Sequence, residues 1–392
     1  TKPCNPYQCV KHPTFISNWT KIVAQDSQQS EIVIKHNLNE IPIKVDVQVK
    51  QVIGNDTEFI FTGIGSAQRD DDYDSIYGGI VYMYDINSVI LIAPNRNDGS
   101  NKGVSIFTGD GIWKGPSDQL DKEAFVRVRL WTSCDFSVSD FTSNWLPIAA
   151  NQGSSSFLEI PHGLGSAPEY VTLQVKLGNT NYIADGIGCS MTHKDTNDST
   201  SWGGVLYGYN STVVRVWLPS TSSGSVFSAA DGWGLNKAYN WKTGFIKITA
   251  WKKLKTKHSK DMESPVETQT QNEHLQAALT AINDGKHLDV DNDIFEILPN
   301  PQVKPRNGSN KDFYFKATGV AQTAESTGEY GGLVYSYTNS LFRMYHPAFA
   351  DYQWPNNGYL FYLNSLWGNG IHKQKTNYVK LVTHTWASFD SC

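Results

Sequence analysis

The chain has no apolar run approaching the roughly 18 residues that a membrane-spanning helix requires. Its longest apolar stretches are of strand length, such as Val89–Ala93. Charge is scarce too: 18% of the 392 residues are charged and the net charge is −5, which gives no basic field for nucleic acid or an anionic membrane. The glycine, serine, histidine and cysteine motifs of common nucleotide-binding and hydrolytic sites are missing (GxGxxG, a P-loop, GxSxG, HExxH). None of the five cysteines forms a CxxC pair, which argues against a zinc ribbon or a thioredoxin-type redox site. Carboxylates at matching places are limited to Asp110 and Asp231, so no paired acid–base site recurs along the chain and an enzyme is not expected.

Aromatic residues, in contrast, are abundant: 12 Trp, 19 Tyr and 17 Phe, with 32 glycines. That balance is typical of an aromatic-rich β protein. One phrase organises the rest. Tyr77–Pro94, Trp202–Pro219 and Tyr330–Pro347 each read as a Gly-Gly entry, a strand, a tight turn and a second strand ending at proline. The paired glycines begin at 78, 203 and 331, and the glycine-to-proline distance is the same in all three copies. A near-fixed period with an unchanged hairpin register implies three tandem structural units.

Each unit carries further strand signals around its hairpin. Ile32–Lys35 and then Pro42–Lys50, with Ile43, Val45, Val47 and Val49 on one face, align with Phe157–Ile160 and Tyr170–Lys176; the third copy aligns loosely over Asp289–Lys304. A third strand follows as Glu58–Gly65, Tyr182–Gly188 and Phe313–Gly319. Each unit closes on an alternating strand ending in tryptophan: Phe125–Trp131, Phe245–Trp251 and Tyr378–Trp386. The expectation is an all-β chain of three tandem antiparallel β-sandwich repeats of about 100 residues. The boundaries are an N-terminal cysteine-bearing arm 1–30, repeat 1 at 31–134, a linker 135–156, repeat 2 at 157–253, a charged linker 254–286 and repeat 3 at 287–392. Within the second linker Leu275, Ala278, Leu279 and Ile282 fall at helical spacing, which predicts one short helix over Glu273–Ile282.

The chain begins at Thr1 without a signal-peptide pattern, as a processed chain would. Sequons at Asn18, Asn55, Asn197, Asn210 and Asn307 agree with an extracellular, secreted glycoprotein. Cys4, Cys9, Cys134 and Cys392 lie outside the repeat cores and read as disulfide candidates that staple tails to domains. Cys189 reads as a small buried residue, and the odd count leaves one cysteine free or intermolecular.

Candidate binding residues come from the second hairpin strand. Arg215 and Trp217 share one face in repeat 2, Arg343 and Tyr345 share it in repeat 3, and repeat 1 has Ile90 and Ile92 there. A guanidinium beside an aromatic ring offers a sugar both hydroxyl partners and a stacking face. The opposing expectation is an arginine packed over a ring at a contact between repeats. The tyrosine pairs Tyr82/Tyr84, Tyr207/Tyr209 and Tyr335/Tyr337 occur in all three units and read as packing. No cofactor is expected; Asp70, Asp71, Asp72 and Asp74 are the candidate oxygen ligands for Ca2+, weighed against a solvated acidic loop. His36 and His162 recur at one turn and are expected to cap backbone there.

The strand order, the x-P-x-V-x-V-x-V opening and the closing strand ending in tryptophan resemble H-type lectin domains. That resemblance implies a small animal β-sandwich that binds sugars such as N-acetylgalactosamine and assembles as a trimer, with no site residue carried over. It suggests three units imitating a trimer within one chain; beads in a row are the alternative. Two functions follow as expectations. The first is a secreted, non-enzymatic, lectin-like recognition or adhesion protein that binds glycans or glycoproteins multivalently. The second is an extracellular matrix or filament subunit that pairs with copies of itself through its arm and strand edges.

Overall fold

The computed structural model describes residues 10–51, 59–66, 76–96, 102–108, 113–114, 120–188, 202–230, 232–235, 237, 239–254, 258–267, 276–278, 297–318, 330–338, 341–347, 358–363, 366–370, 372–374 and 376–385. Among these the chain is all-β, and its only helical pieces are the single 3₁₀ turns Ser133–Asp135 and Gly153–Ser155. Most strands lie in three large antiparallel sheets, and each sheet draws on two distant parts of the sequence.

The first sheet runs Glu123–Trp131, Lys44–Gln51, Ile60–Thr62, then crosses to Val334–Tyr337 and Leu341–Pro347. The second runs Thr243–Trp251, Tyr170–Leu177, Ile183–Asp185, then Val81–Tyr84, Ser88–Ile92 and Glu31–Lys35. The third runs Thr376–Thr385, Ile297–Pro305, Tyr314–Lys316, then Leu206–Tyr209, Val213–Trp217 and Phe157–Pro161. In every case the hairpin of one segment completes the sheet of the next, and the hairpin of the last segment completes the sheet of the first. The crossings are short ladders: Ile183 pairs with Tyr84, Tyr209 with Tyr314, and Tyr337 with Ile60. A second set of contacts repeats the same circuit. The proline ending each hairpin pairs with the tryptophan turn of the next segment: Pro94 with Trp233, Pro219 with Trp367 and Pro347 with Trp113. The segments therefore close into a ring.

A buried polar contact marks each crossing. Gln48, Gln174 and Gln302, the glutamines of three Gln-Val-Lys triplets, donate to the hydroxyls of Tyr337, Tyr84 and Tyr209 at 2.7, 3.0 and 2.6 Å. Each pair joins the central strand of one segment to the hairpin of another. A buried tyrosine hydroxyl needs such a partner, and the ring contributes the apolar area. The cost of backbone proximity appears beside it. A Cβ on Gly65 would lie 1.9 Å from the Asp185 carbonyl oxygen, and one on Gly188 1.7 Å from that of Lys316. Only glycine allows successive segments to meet backbone to backbone there.

One reading of the sequence is corrected, and the structure adds detail to two others. The predicted helix over Glu273–Ile282 is not formed where it is described: Gln276–Ala278 is extended and antiparallel to Leu341–Arg343. That strand occupies the place held by Glu31–Lys35 and Phe157–Pro161 in the other sheets. The unpaired edge of a hairpin outweighs the high helix propensity of a Gln-Ala-Ala stretch; the rest of 273–282 lies outside the described residues.

The stretches expected as arm and linkers also carry strands. Phe15–Ile16 and Thr20–Val23 pair with Glu123–Trp131, Phe141–Thr142 and Leu146–Ala149 pair with Thr243–Trp251, and His258–Glu267 pairs with Thr376–Thr385. The first two share an F-x-S-N-W phrase at 15–19 and 141–145. Ser17 Oγ and Ser143 Oγ accept from the Val128 and Ile248 backbones at 3.1 and 2.9 Å. Edge strands bury little, so proline and charge are tolerated and the period-two signal fades.

Finally, the loosely aligned opening of the third segment is the regular strand Ile297–Pro305. Pro299, Pro301 and Pro305 fall on alternate positions, and the Pro301 carbonyl accepts from Ala317. The missing N–H groups thus face the short strand Tyr314–Lys316, and the ladder to Thr376–Thr385 is kept by the intervening residues.

Two predictions follow from the crossings. Tyr209→Phe strands the Gln302 amide and is expected to cost about 1–3 kcal/mol in chemical denaturation; a loss below the measurement error would show that the contact contributes nothing. Burial raises the pKa of Tyr82, Tyr84, Tyr170, Tyr207, Tyr209 and Tyr335, and pushes Tyr337 up to about 12. Native tyrosines therefore hold their protons where unfolded ones, with a pKa of about 10, release them. Stability should fall as pH rises above about 10. Tyrosinate absorbance of these residues should appear only together with unfolding, and a titration that precedes unfolding would contradict their burial.

Candidate functional site

Arg215 sits on Val213–Trp217, opposite Glu159 across one strand pair and Gly208 across the other. Its Nε donates to Glu159 Oε1 at 2.7 Å, and its Nη1 donates to the Ser309 carbonyl and to Asn310 Oδ1, the latter at 2.8 Å. The guanidinium lies 4.2 Å from the Phe313 ring centroid. Three hydrogen bonds and a cation–π contact hold the plane fixed across the boundary between the second and third segments. Nη2 makes no hydrogen bond among the described residues, so one edge of the fork remains available.

That edge borders a cleft of about 170 Å³ lined by Phe157, Glu159, Arg215, Ser309, Asn310 and Asn369, with Trp217 at its base. Asn369 stands exposed at φ +52°, at the end of the turn bearing Trp367. The cleft combines one cation with one carboxylate and two amides, so it is close to neutral and rich in both donors and acceptors. An arrangement of this kind suits a neutral polyol better than an anion, which would meet the Glu159 charge.

The aromatic half of the predicted platform is corrected. Trp217 is 1% exposed and packs against Phe157 and Phe315, with centroids at 5.6 and 5.8 Å. Tyr345 is also 1% exposed and meets Phe61 at 6.3 Å. Both alternate into the core because the ring face that shares a side with arginine along a strand is covered by the neighbouring segment. Neither presents an open face for stacking. Arg343 occupies the register of Arg215, with Ser336 for Gly208 and Gln276 for Glu159; its side chain lies outside those described. At the remaining junction the same register holds Ile90 with Val33, which is 51% exposed.

Other candidates fall as follows. Asp70, Asp71, Asp72 and Asp74, the sequons at Asn55 and Asn197, and Cys4, Cys9, Cys189 and Cys392 lie outside the described residues. Asn18 and Asn307 are exposed, whereas Asn210 is half-buried and its side-chain oxygen accepts from the Thr212 and Val213 backbones. Cys134 is half-buried within the 3₁₀ turn Ser133–Asp135 and is not a free thiol. His162 caps backbone, with Nε2 at 3.0 Å from the Asn210 carbonyl and Nδ1 accepting from Leu164. His36 is buried near Phe15, and that burial lowers its pKa. No group of three metal-ligating side chains occurs among the described residues.

Glu159, Asn310 and Asn369 were not singled out in the sequence. Their only signal is register: Glu159 becomes visible once Phe157–Pro161 is paired with the arginine strand. The amides come from another segment, which no local pattern links to Arg215. Asn369→Gly keeps the positive φ and removes one amide, so it should leave the melting temperature within about 1 °C of the parent; a larger loss would make Asn369 a structural cap and not a cleft group.

No protein-family model matches the chain, and no curated protein matches it. Function is therefore argued from the cleft and the ring alone.

Proposed function

We propose that the protein is a secreted, non-enzymatic recognition protein that binds the neutral sugars of glycans or glycoproteins, in the manner of a lectin. The observation that carries this reading is the fixed Arg215 guanidinium, with its free Nη2 edge opening on a neutral cleft beside Glu159, Asn310 and Asn369. Holding a donor edge in place before the ligand arrives lowers the ordering cost of binding. Vicinal hydroxyls can accept from Nη2 while donating to the carboxylate or the amide oxygens. The equivalent register at Arg343 supports a second site at the next junction, and the Ile90 register supports none at the other. Two weak sites on one rigid ring would act together on a clustered glycan. The similarity to H-type lectin domains noted above agrees with this reading.

The filament alternative has less to draw on. Residues 15–16 and 20–23 of the arm already pair with the closing strand of their own segment, so they are not available to a neighbouring chain. Its remaining support is the odd number of cysteines and the exposed Val33, Val138 and Trp145.

A neutral-glycan array followed by titration calorimetry tests the proposal. Binding should saturate, and Arg215→Ala should weaken it at least about tenfold, the value of one charge-assisted hydrogen bond. Glu159→Gln, which keeps the shape, should weaken it less. Saturable binding that is indifferent to both substitutions would place the sugar elsewhere, and no binding across the array would overturn the reading. Light scattering with and without reductant addresses the alternative: a discrete particle of one to three chains argues against it, and reductant-sensitive polymers argue for it.

A further inference from the structure

The strands that cross between segments converge on a small polar cavity that the sugar-binding reading does not use. Thr62, Asp185 and Lys316 occupy the same place on the three short strands Ile60–Thr62, Ile183–Asp185 and Tyr314–Lys316. Asp46, Thr172 and Asn300 occupy the same place on the three central strands. Lys44, Thr172, Asp185, Asn300 and Lys316 line one cavity of about 20 Å³, room for about one water-sized particle.

The charges in this cavity do not cancel. Asp185 is held by two tyrosines, Oδ2 accepting from Tyr82 at 2.7 Å and Oδ1 from Tyr84 at 2.9 Å. The neighbouring Asp46 is held by Arg129 at 2.9 Å. Neither Lys44 nor Lys316 has a hydrogen bond or an ion pair among the described residues, and Asn300 Nδ2 is buried without a partner. Two ammonium groups and one amide N–H thus face a space that contains a single carboxylate, and the lining carries one net positive charge. Both lysines are half-buried, where two neighbouring ammonium groups attract a counter-charge, and the buried amide N–H needs an acceptor. Water supplies the acceptor and leaves the charge.

We propose that the cavity is a binding site for one chloride ion, held by the Lys44 and Lys316 ammonium groups and the Asn300 amide, which locks the three segments together at their meeting point. The ion would neutralise the lining and accept from all three donors, and each donor comes from the first or third segment while Asp185 comes from the second. The site is independent of the Arg215 cleft, since it shares no residue with it.

Burial, and secondarily Lys44, lowers the Lys316 pKa to about 8, against the opposing pull of Asp185 and Asp46. Without the anion, native Lys316 releases its proton near that pH, whereas the unfolded chain holds it to about 10.4. The unfolded state then binds more protons, and stability rises with pH from about 8 to about 10. Bound chloride holds the native ammonium charged and flattens that rise. Tyr170 and Tyr207, which also face the cavity, keep their protons throughout this window.

Thermal unfolding at constant ionic strength, with chloride exchanged for gluconate, reads the effect. At pH 7 the melting temperature should rise saturably by about 2–5 °C between about 1 and about 100 mM chloride. Lys316→Met should abolish the rise. Identical curves in both anions, a rise retained in Lys316→Met, or an unchanged pH slope with chloride present would each overturn the proposal. Bromide soaked into crystals of the unaltered protein gives a readout that needs no variant. An anomalous peak between Lys316 and Asn300 supports the site, and density without anomalous signal identifies water and overturns it.

Discussion

Everything in this structure depends on a short antiparallel crossing, made three times, between the third strand of one segment and the hairpin of another. Each crossing is only one or two residue pairs long, too little ladder to hold two bodies together unaided. Its strength comes from what surrounds it. A glutamine–tyrosine hydrogen bond is buried beside each crossing, a proline-to-tryptophan bridge repeats the connection further out, and the hairpin tyrosines fill the space between. A hydrogen bond of this kind contributes modestly when made and costs more when broken, because the orphaned partner has no water to turn to. The crossings therefore specify which strand meets which more than they stabilise the sheet.

The same constraint explains where polar groups collect. Three segments that meet backbone to backbone leave room for glycine at Gly65 and Gly188 and little else. The side chains that end the three short strands are Thr62, Asp185 and Lys316, three different chemistries at one structural position. In three identical chains that position would be a ring of like residues. A single chain is free to differentiate it, and here an acid and a base stand where identical charges would repel. The Arg215 cleft shows the same freedom at the periphery, polar at one junction and apolar, with Val33 and Ile90, at another.

Much of this was legible in the residues. Alternation along Lys44–Gln51, Tyr170–Leu177 and the closing strands follows directly from burial of one sheet face, and the hairpins carry their own turn chemistry. Their Asp85 and Asn210 side chains accept from the backbone two and three residues on. The three Gln-Val-Lys triplets and the F-x-S-N-W phrase were present as signals, but a glutamine within a strand does not announce a tyrosine 289 residues away. Strands at sheet edges were hidden by their charge and proline, and Gln276–Ala278 was hidden by its helical composition. Partnership across segments is set by tertiary geometry, so Asn310 and Asn369 could not be attached to Arg215 before the chain was folded.

Closure of the ring also bears on the order in which the chain can be made. The first sheet is finished by Val334–Tyr337, which leaves the ribosome long after Ile60–Thr62, the strand it joins. Until then Ile60–Thr62 has an open edge, and its neighbours must wait with their apolar faces exposed. The second sheet has no such delay, since Val81–Tyr84 precedes the strands it joins. Synthesis therefore favours the middle sheet as the seed, and Ile60–Thr62 of the first sheet waits longest for its partner, an interval in which a chaperone would have the most to protect.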